Sequence, residues 1–98
     1  MVKYALLARV EAKPGKEETV EQFLKSALTM AQDEEDTVSW YALKIGPSTF
    51  GIFDTFNDES GREAHLNGKI AAALMQNADE LLATSPVIEK VELLAVKA

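Results

Sequence analysis

The chain of 98 residues contains no cysteine and only one histidine, His65. The absence of cysteine excludes disulfide bonds, thiolate metal ligands and cysteine nucleophiles. A single histidine also excludes a metal site built from several histidines of one chain, so we predict no metal site. Basic residues are scarce as well: 10 Lys and Arg stand against 16 Asp and Glu, a formal net charge of −6. This charge repels phosphate groups, so we expect neither a nucleic acid nor a membrane surface as a partner.

Long hydrophobic runs are also missing from the chain. The first residues, MVKYALLARVEAK, are interrupted by Lys3 and Arg9 and fit neither a signal peptide nor a spanning helix. We therefore expect a cytoplasmic protein. The composition, 47% hydrophobic and 27% charged, is typical of a globular chain, and the length predicts a single domain over residues 1–98.

The first half of the chain alternates between two periodicities. Residues 2–12 repeat with period two and predict a strand. From Lys16 the apolar spacing becomes that of one helical face, and this helix is predicted to end within QDEED, residues 32–36. TVSWYALKIG and TFGIFDTF then predict two strands, and the short GPS turn between them favours an antiparallel hairpin.

The second half repeats the order of helix and strand. Asn57 or Asp58 is a candidate N-cap for a helix through GREAHL, NG interrupts this helix, and KIAAALMQNADELLA forms a second piece. After Pro86, VIEKVELLAVK predicts the last strand. The order β-α-β-β-α-β predicts an α+β, ferredoxin-like fold with a four-stranded antiparallel sheet and helices on one face.

The other face of this predicted sheet has no cover within the chain. Leu7, Leu94 and Val96 are apolar and need a partner surface. An exposed apolar sheet face usually marks an interface. We therefore predict a homodimer in which two sheets face each other, with assembly of dimers into larger rings as a further alternative.

Three segments together resemble the antibiotic biosynthesis monooxygenase family of dimeric α/β-barrel proteins. These are ARVEAKPGKEE, GPSTFGIFDTFNDES and GREAHLNGKIAAAL, of which EAHL at residues 63–66 is the most specific. The resemblance implies a dimer with a shared sheet core and a small pocket between the sheet and the second helix of each protomer. It also implies oxidation of quinol-like or polycyclic aromatic substrates by molecular oxygen, often with no metal or flavin, so we expect no cofactor.

Two positions depart from the patterns of active relatives. Haem-degrading relatives have an asparagine in the first strand where this chain has Ala8, which argues against haem. Quinol-oxidising relatives often have a second histidine five residues after the first, and this chain has Ile70 there.

His65 is the first candidate for catalysis. An imidazole titrates near neutral pH, so it suits a general base or a partner for a substrate hydroxyl. Gly61 and Gly68 lie three or four residues away on the same helix and leave room for a ligand or another chain segment. The alternative is a structural role, either a hydrogen bond from helix to sheet or partial exposure.

Other side chains are candidates for binding an aromatic ligand or for packing. Trp40 and Tyr41 should point to opposite faces of their strand. The candidate substrate-binding residues are Trp40, Tyr4, Phe53 and Arg62.

For Asp54 and for the acidic segment QDEED we favour structural roles. Asp54 interrupts an apolar strand. Inside, it would need a partner such as Arg62 or would be a catalytic candidate, and we expect it to be outward or hydrogen-bonded. QDEED lacks the spacing of a calcium loop and is expected to be a solvated loop.

Two functions therefore remain open. The first is a cofactor-independent monooxygenase that holds a small aromatic or quinol-like substrate between the sheet and the second helix, with His65 as its catalytic residue. The second is a non-catalytic dimer of the same fold that binds a small molecule or serves a stress response. Fold alone does not choose between them.

Overall fold

The computed structural model describes residues 2–97, which form four strands and four helices, the helices in two consecutive pairs along the chain. In chain order the elements are β1 (Tyr4–Glu11), α1 (Glu17–Ser26), α2 (Leu28–Gln32), β2 (Thr37–Lys44), β3 (Thr49–Phe56), α3 (Glu59–Leu66), α4 (Lys69–Leu81) and β4 (Val87–Glu92).

The strands form one antiparallel sheet in the order β2-β3-β1-β4. The first strand pairs with β3 on one side and with β4 on the other, so the two halves of the chain meet at the centre of the sheet. This arrangement confirms the predicted α+β ferredoxin-like fold.

The largest departures from the predicted boundaries lie in the first helix and the last strand. The first predicted helix is divided at Ala27 into α1 and α2. The last predicted strand ends at Glu92 rather than continuing to Lys97, because its neighbour β1 begins at Tyr4, the pairing partner of Glu92. Only a backbone hydrogen bond from Leu93 to the carbonyl of Lys3 extends this contact.

Alternation along the strands gives the sheet a helix-covered face and an open face. On β3, Phe50, Ile52 and Phe56 point to the helices and are buried, whereas Phe53 points to the open face. The core of the molecule lies between the sheet and the helices and includes Val20, Leu24, Leu74 and Leu81. Among the described residues, no helix has both the length and the apolar character needed to cross a membrane.

Candidate active site around His65

Asp54 lies on the helix-covered face of β3, where it is only 1% exposed. Of the two arrangements expected for this carboxylate, outward or hydrogen-bonded, the outward one is wrong. The reason is the strict alternation of the strand: because Ile52 and Phe56 face the core, the residue between them in the same register must face it too. A carboxylate buried among apolar side chains requires a charged or hydrogen-bonding neighbour.

His65, not Arg62, is that neighbour. His65 is 8% exposed, and its Nε2 lies 2.8 Å from Asp54 Oδ2. The approach is an ion-pair contact outside hydrogen-bond geometry, so neither carboxylate oxygen of Asp54 accepts a hydrogen bond from the described residues. The imidazole also packs against Phe56, with ring centroids 5.4 Å apart.

The other imidazole nitrogen contacts a second carboxylate. His65 Nδ1 lies 2.6 Å from Glu34 Oε1, which also accepts a hydrogen bond of 2.7 Å from the hydroxyl of Thr37. Glu34 belongs to the QDEED segment, which was expected to be a solvated loop. For this one residue that expectation was wrong, while Asp33, Glu35 and Asp36 are exposed as expected.

Two glycines of the helical region allow this acidic segment to approach His65. A Cβ on Gly61 would lie 3.2 Å from Asp36 Cβ, and a Cβ on Gly68 would lie 3.3 Å from Glu34 Oε2. Both distances are shorter than ordinary van der Waals contacts. The room beside the histidine is therefore occupied in part by another segment of the chain.

The two carboxylates determine the charge of the imidazole. Burial alone disfavours the charged form, but the contact with Asp54 and then the hydrogen bond with Glu34 outweigh it and raise the pKa of His65 above its ordinary value. The protonated ring has a carboxylate 2.6 Å from Nδ1 and another 2.8 Å from Nε2, so it faces an anion on both sides and retains no free lone pair.

Two cavities of different size adjoin His65. On the outer side is a cleft of about 320 Å³ between α3 and the acidic segment, lined by Glu34, His65, Thr37 and Lys69 among others. On the inner side, between the sheet and α3–α4, is a cavity of about 30 Å³ that Asp54 also lines. In this structure the space between sheet and second helix has the size of a water molecule, and the larger volume lies beyond the imidazole.

The other predicted binding residues do not line the cleft. Trp40 is half-buried on the helix-covered face and packs against the core. Arg62 is buried, lies 5.2 Å from the ring centroid of Tyr4, and donates from Nη1 to the carbonyl of Val91 at 3.4 Å. Phe53 is on the open face of the sheet, where it stacks with Tyr41 at 6.4 Å, so the structure separates it from His65. As predicted, Trp40 and Tyr41 lie on opposite faces.

Glu34 is the residue of this cluster that sequence reasoning missed. It is separated from its partner by 31 positions, and no spacing rule connects the two. Within residues 2–97 no group of three or more His, Asp or Glu side chains is arranged to hold a metal ion.

Comparisons with known proteins relate the whole chain to solved structures. No family model matches the chain. No curated protein matches it either. Among solved structures, a protein of unknown function from Nitrosomonas europaea is 62% identical, with a TM-score of 0.97 over 100% of this chain and 95% of that one.

Two more distant structures carry a functional name. A protein from Deinococcus radiodurans, provisionally named an antibiotic biosynthesis monooxygenase, is 13% identical, with a TM-score of 0.82 over 97% of this chain and 96% of its own. A second protein of that provisional name, from Nitrosomonas europaea, is 13% identical, with a TM-score of 0.81 over 94% and 90%. At 13% identity, these two likenesses show a shared fold alone. The chain therefore belongs to the same family as the Nitrosomonas europaea protein of unknown function, and it has the fold of the antibiotic biosynthesis monooxygenases.

Proposed function

We propose that the protein is a monooxygenase that needs no metal or flavin and acts on a small aromatic, quinol-like molecule bound in the cleft along α3. The observation that carries this proposal is the chain of contacts from Glu34 through His65 to Asp54, one end of which opens into a cleft of about 320 Å³. That volume lies at the lower end of the range of small-molecule sites.

Glu34 has the most exposed side chain of this cluster, and it faces the cleft. Its side chain is 20% exposed, compared with 7% for His65 and 1% for Asp54. A substrate hydroxyl in the cleft would donate its proton to Glu34, which acts as the general base. The imidazolium of His65 behind it would hold the carboxylate in place for this proton transfer, and Asp54 would orient the imidazole ring.

The chemistry needs only this proton transfer and an electron-rich ring. Once the hydroxyl proton has moved to the carboxylate of Glu34, the phenolate can transfer an electron to dioxygen, and the resulting radicals combine with formation of a C–O bond. Loss of water then leaves a quinone. A phenol and one dioxygen give one quinone and one water, so dioxygen is the sole oxidant and no external reductant is consumed.

The remaining predicted binding residues have supporting roles in this proposal. Trp40, Tyr4 and Arg62 hold the helices against the sheet around the cluster, since each lies on the helix-covered side. Phe53 contributes to the dimer interface described below rather than to the cleft.

Oxygen uptake with a panel of dihydroxynaphthalenes and anthrones tests the activity. His65→Ala and Glu34→Gln should each reduce kcat/KM by about 10²–10⁴-fold, the range for loss of general acid–base catalysis. Glu35→Gln is the matched control, because Glu35 lines the same cleft but is exposed and makes no contact with His65. If no compound of the panel causes oxygen uptake above that of buffer, the proposal of a monooxygenase for this substrate class is refuted.

A non-catalytic binding protein is the second candidate. The saturation of both imidazole nitrogens favours it, because a ring with two carboxylate contacts is well suited to hold the acidic segment in place. In that case a panel compound would raise the melting temperature of the protein, as ligands of the native state do, without any oxygen consumption.

We also propose that the protein is a homodimer through the open face of its sheet. Tyr41 and Val87 are more than half exposed there, and Phe53, Leu43 and Val91 are only partly covered. Such a patch is unfavourable in water and favours a second copy as its cover. Light scattering at micromolar concentration should give twice the chain mass of 10.7 kDa, and a stable monomer would contradict the proposal.

A further inference from the structure

The strands carry three charged side chains on the open face of the sheet. These are Arg9 and Glu11 on β1 and Glu89 on β4, which the alternation of the strands places on the side away from the helices. Glu11 is already engaged, since its Oε1 accepts a hydrogen bond of 2.7 Å from the hydroxyl of Thr49. Arg9 and Glu89 are exposed, and neither forms an ion pair with another of residues 2–97.

Apolar residues of the open face border both of these unpaired charges. Arg9 lies directly opposite Gly51 on β3 and Val87 on β4, and Glu89 lies directly opposite Leu7 on β1. Gly51 offers no side chain with which the arginine could pair. A second copy of the chain that covers the apolar residues of this face therefore also takes both charges out of water.

A charge that loses its water needs a counter-charge, because the cost of desolvation is offset only by a close ion pair in good geometry. A two-fold interface is self-complementary, so any contact between two different residues occurs twice in it. Arg9 and Glu89 have opposite charges, and one contact between them satisfies both. Facing sheets lie about 10 Å apart, a distance that an arginine and a glutamate side chain can span together.

The same two side chains do not neutralise each other within one chain. They are diagonal neighbours on β1 and β4, offset by two residues, which corresponds to about 7–8 Å between the two positions. Their complementary charges are therefore available to a second copy. Since each chain has a net charge of −6, two copies repel one another, and an attractive contact between them favours one orientation over the others.

We propose that Arg9 of each protomer pairs with Glu89 of the partner subunit, so that two symmetric ion pairs fix the orientation of the face-to-face dimer. The inference rests on the homodimer proposed above and adds to it which charges meet. The apolar residues of the open face supply the area of contact, and the two ion pairs select one arrangement of the sheets.

Charge reversal with measurement of the dissociation constant of the dimer by sedimentation equilibrium tests this pairing. Arg9→Glu and Glu89→Arg each bring like charges together at both contacts. Each should raise the Kd of the dimer by about 100-fold, about tenfold for each of the two pairs. Lys90→Glu is the matched control, because it has the same change in charge as Arg9→Glu and lies beside Glu89 on the helix-covered side of β4. It should leave Kd nearly unchanged.

A mixture of the two reversed proteins distinguishes a pair between protomers from a pair within one chain. In a dimer of one Arg9→Glu chain and one Glu89→Arg chain, both contacts again join opposite charges. The mixture should therefore form this mixed dimer with a Kd close to that of the unmodified protein, and native mass spectrometry identifies it by its mass. A pair within one chain predicts no recovery, because each chain keeps its like charges.

Weaker dimers of both reversed proteins, with recovery on mixing, support the pairing. An unchanged Kd in either reversed protein, or no recovery on mixing, overturns the pairing, and a dimeric unmodified protein then still supports the homodimer. An unmodified protein that is monomeric at micromolar concentration overturns the homodimer and the pairing together. Since Arg9 and Glu89 are exposed, we expect both reversed proteins to fold, and circular dichroism checks this.

Discussion

The two faces of the sheet differ in what they bury: one buries charged side chains, and the other exposes apolar ones. The helix-covered face is buried, yet it encloses a histidine and a carboxylate, His65 and Asp54, with Glu34 at their outer side. The open face has an apolar surface, with Tyr41 and Phe53 stacked on one another, and no part of the described chain covers it.

This difference indicates which features of the molecule serve folding and which serve another role. An aliphatic core in place of the buried ions would cost no desolvation, and replacement of buried ion pairs by apolar residues is often neutral or stabilising. The buried cluster is therefore better explained by chemistry or ligand binding than by folding. The exposed apolar face is instead the surface of the proposed homodimer. The following variants test this assignment, in order of decreasing expected effect.

Phe50 and Phe53 lie on the same strand and face opposite sides, which makes them a matched pair. Phe50 is 1% exposed, so Phe50→Ala should lower the free energy of unfolding by about 3–5 kcal/mol at any protein concentration. Phe53→Ala should act through the dimer, with a loss of stability that grows on dilution. Denaturant unfolding at two concentrations measures both, and a loss for Phe53→Ala that is independent of concentration would contradict an interface on the open face.

Removal of the imidazole should be the next largest effect. His65→Ala leaves the carboxylate of Asp54 buried without its cation, and we expect a loss of about 3 kcal/mol, at the lower end for a broken buried pair. Lys90→Ala is the control, because it breaks an ion pair with Glu63 in which both side chains are about half exposed. It should leave the unfolding free energy nearly unchanged. Equal effects of the two substitutions would mean that the buried cluster contributes no more than a surface pair.

The pH dependence of stability tests the charge on His65. Because the pKa of His65 is raised in the folded state, its contribution is complete below the unfolded value of about 6.5 and is lost as the pH rises through the folded pKa. Each unit of the shift corresponds to about 1.4 kcal/mol. Urea unfolding between pH 6 and pH 9 should therefore detect a decline in stability that His65→Gln lacks. A decline of the same size in both proteins would assign the effect to other groups.

The sequence allowed prediction of those features that depend on local pattern. β3 was predicted at its observed bounds from its period of two, and Asp58 was one of two candidate caps; its carboxylate accepts a hydrogen bond of 2.8 Å from the N–H of Gly61, which lowers the pKa of Asp58. The same period also places Asp54 inside. The outward alternative followed from the cost of burying a charge, but the alternation of the strand places Asp54 inside, where His65 is its charged neighbour.

The cluster itself could not be predicted, because it is made by contacts between distant segments. Glu34 is one of four consecutive acidic residues, and nothing local distinguishes it from Asp33, Glu35 or Asp36. Its partner was identified as a candidate because the chain has only one histidine. The glycines beside that histidine were a correct indication of space, and the occupant includes the acidic segment, one of the two alternatives that the sequence left open.

The smallest expected effect concerns the polar pair that the open face does bury. Ser39 Oγ and Thr55 Oγ1 are 2.6 Å apart, and Thr55 is 7% exposed. Ser39→Ala should cost about 1 kcal/mol, since it removes one partner of a hydrogen bond and leaves the other buried, whereas the double change Ser39→Ala with Thr55→Val should cost less than the two single changes combined. A double-mutant cycle by urea unfolding measures this coupling. Ser39→Ala should leave oxygen uptake unaltered, in contrast to His65→Ala and Glu34→Gln, because Ser39 lies on the face of the sheet away from the cluster. A loss of oxygen uptake in Ser39→Ala would mean that the two faces are not functionally separate.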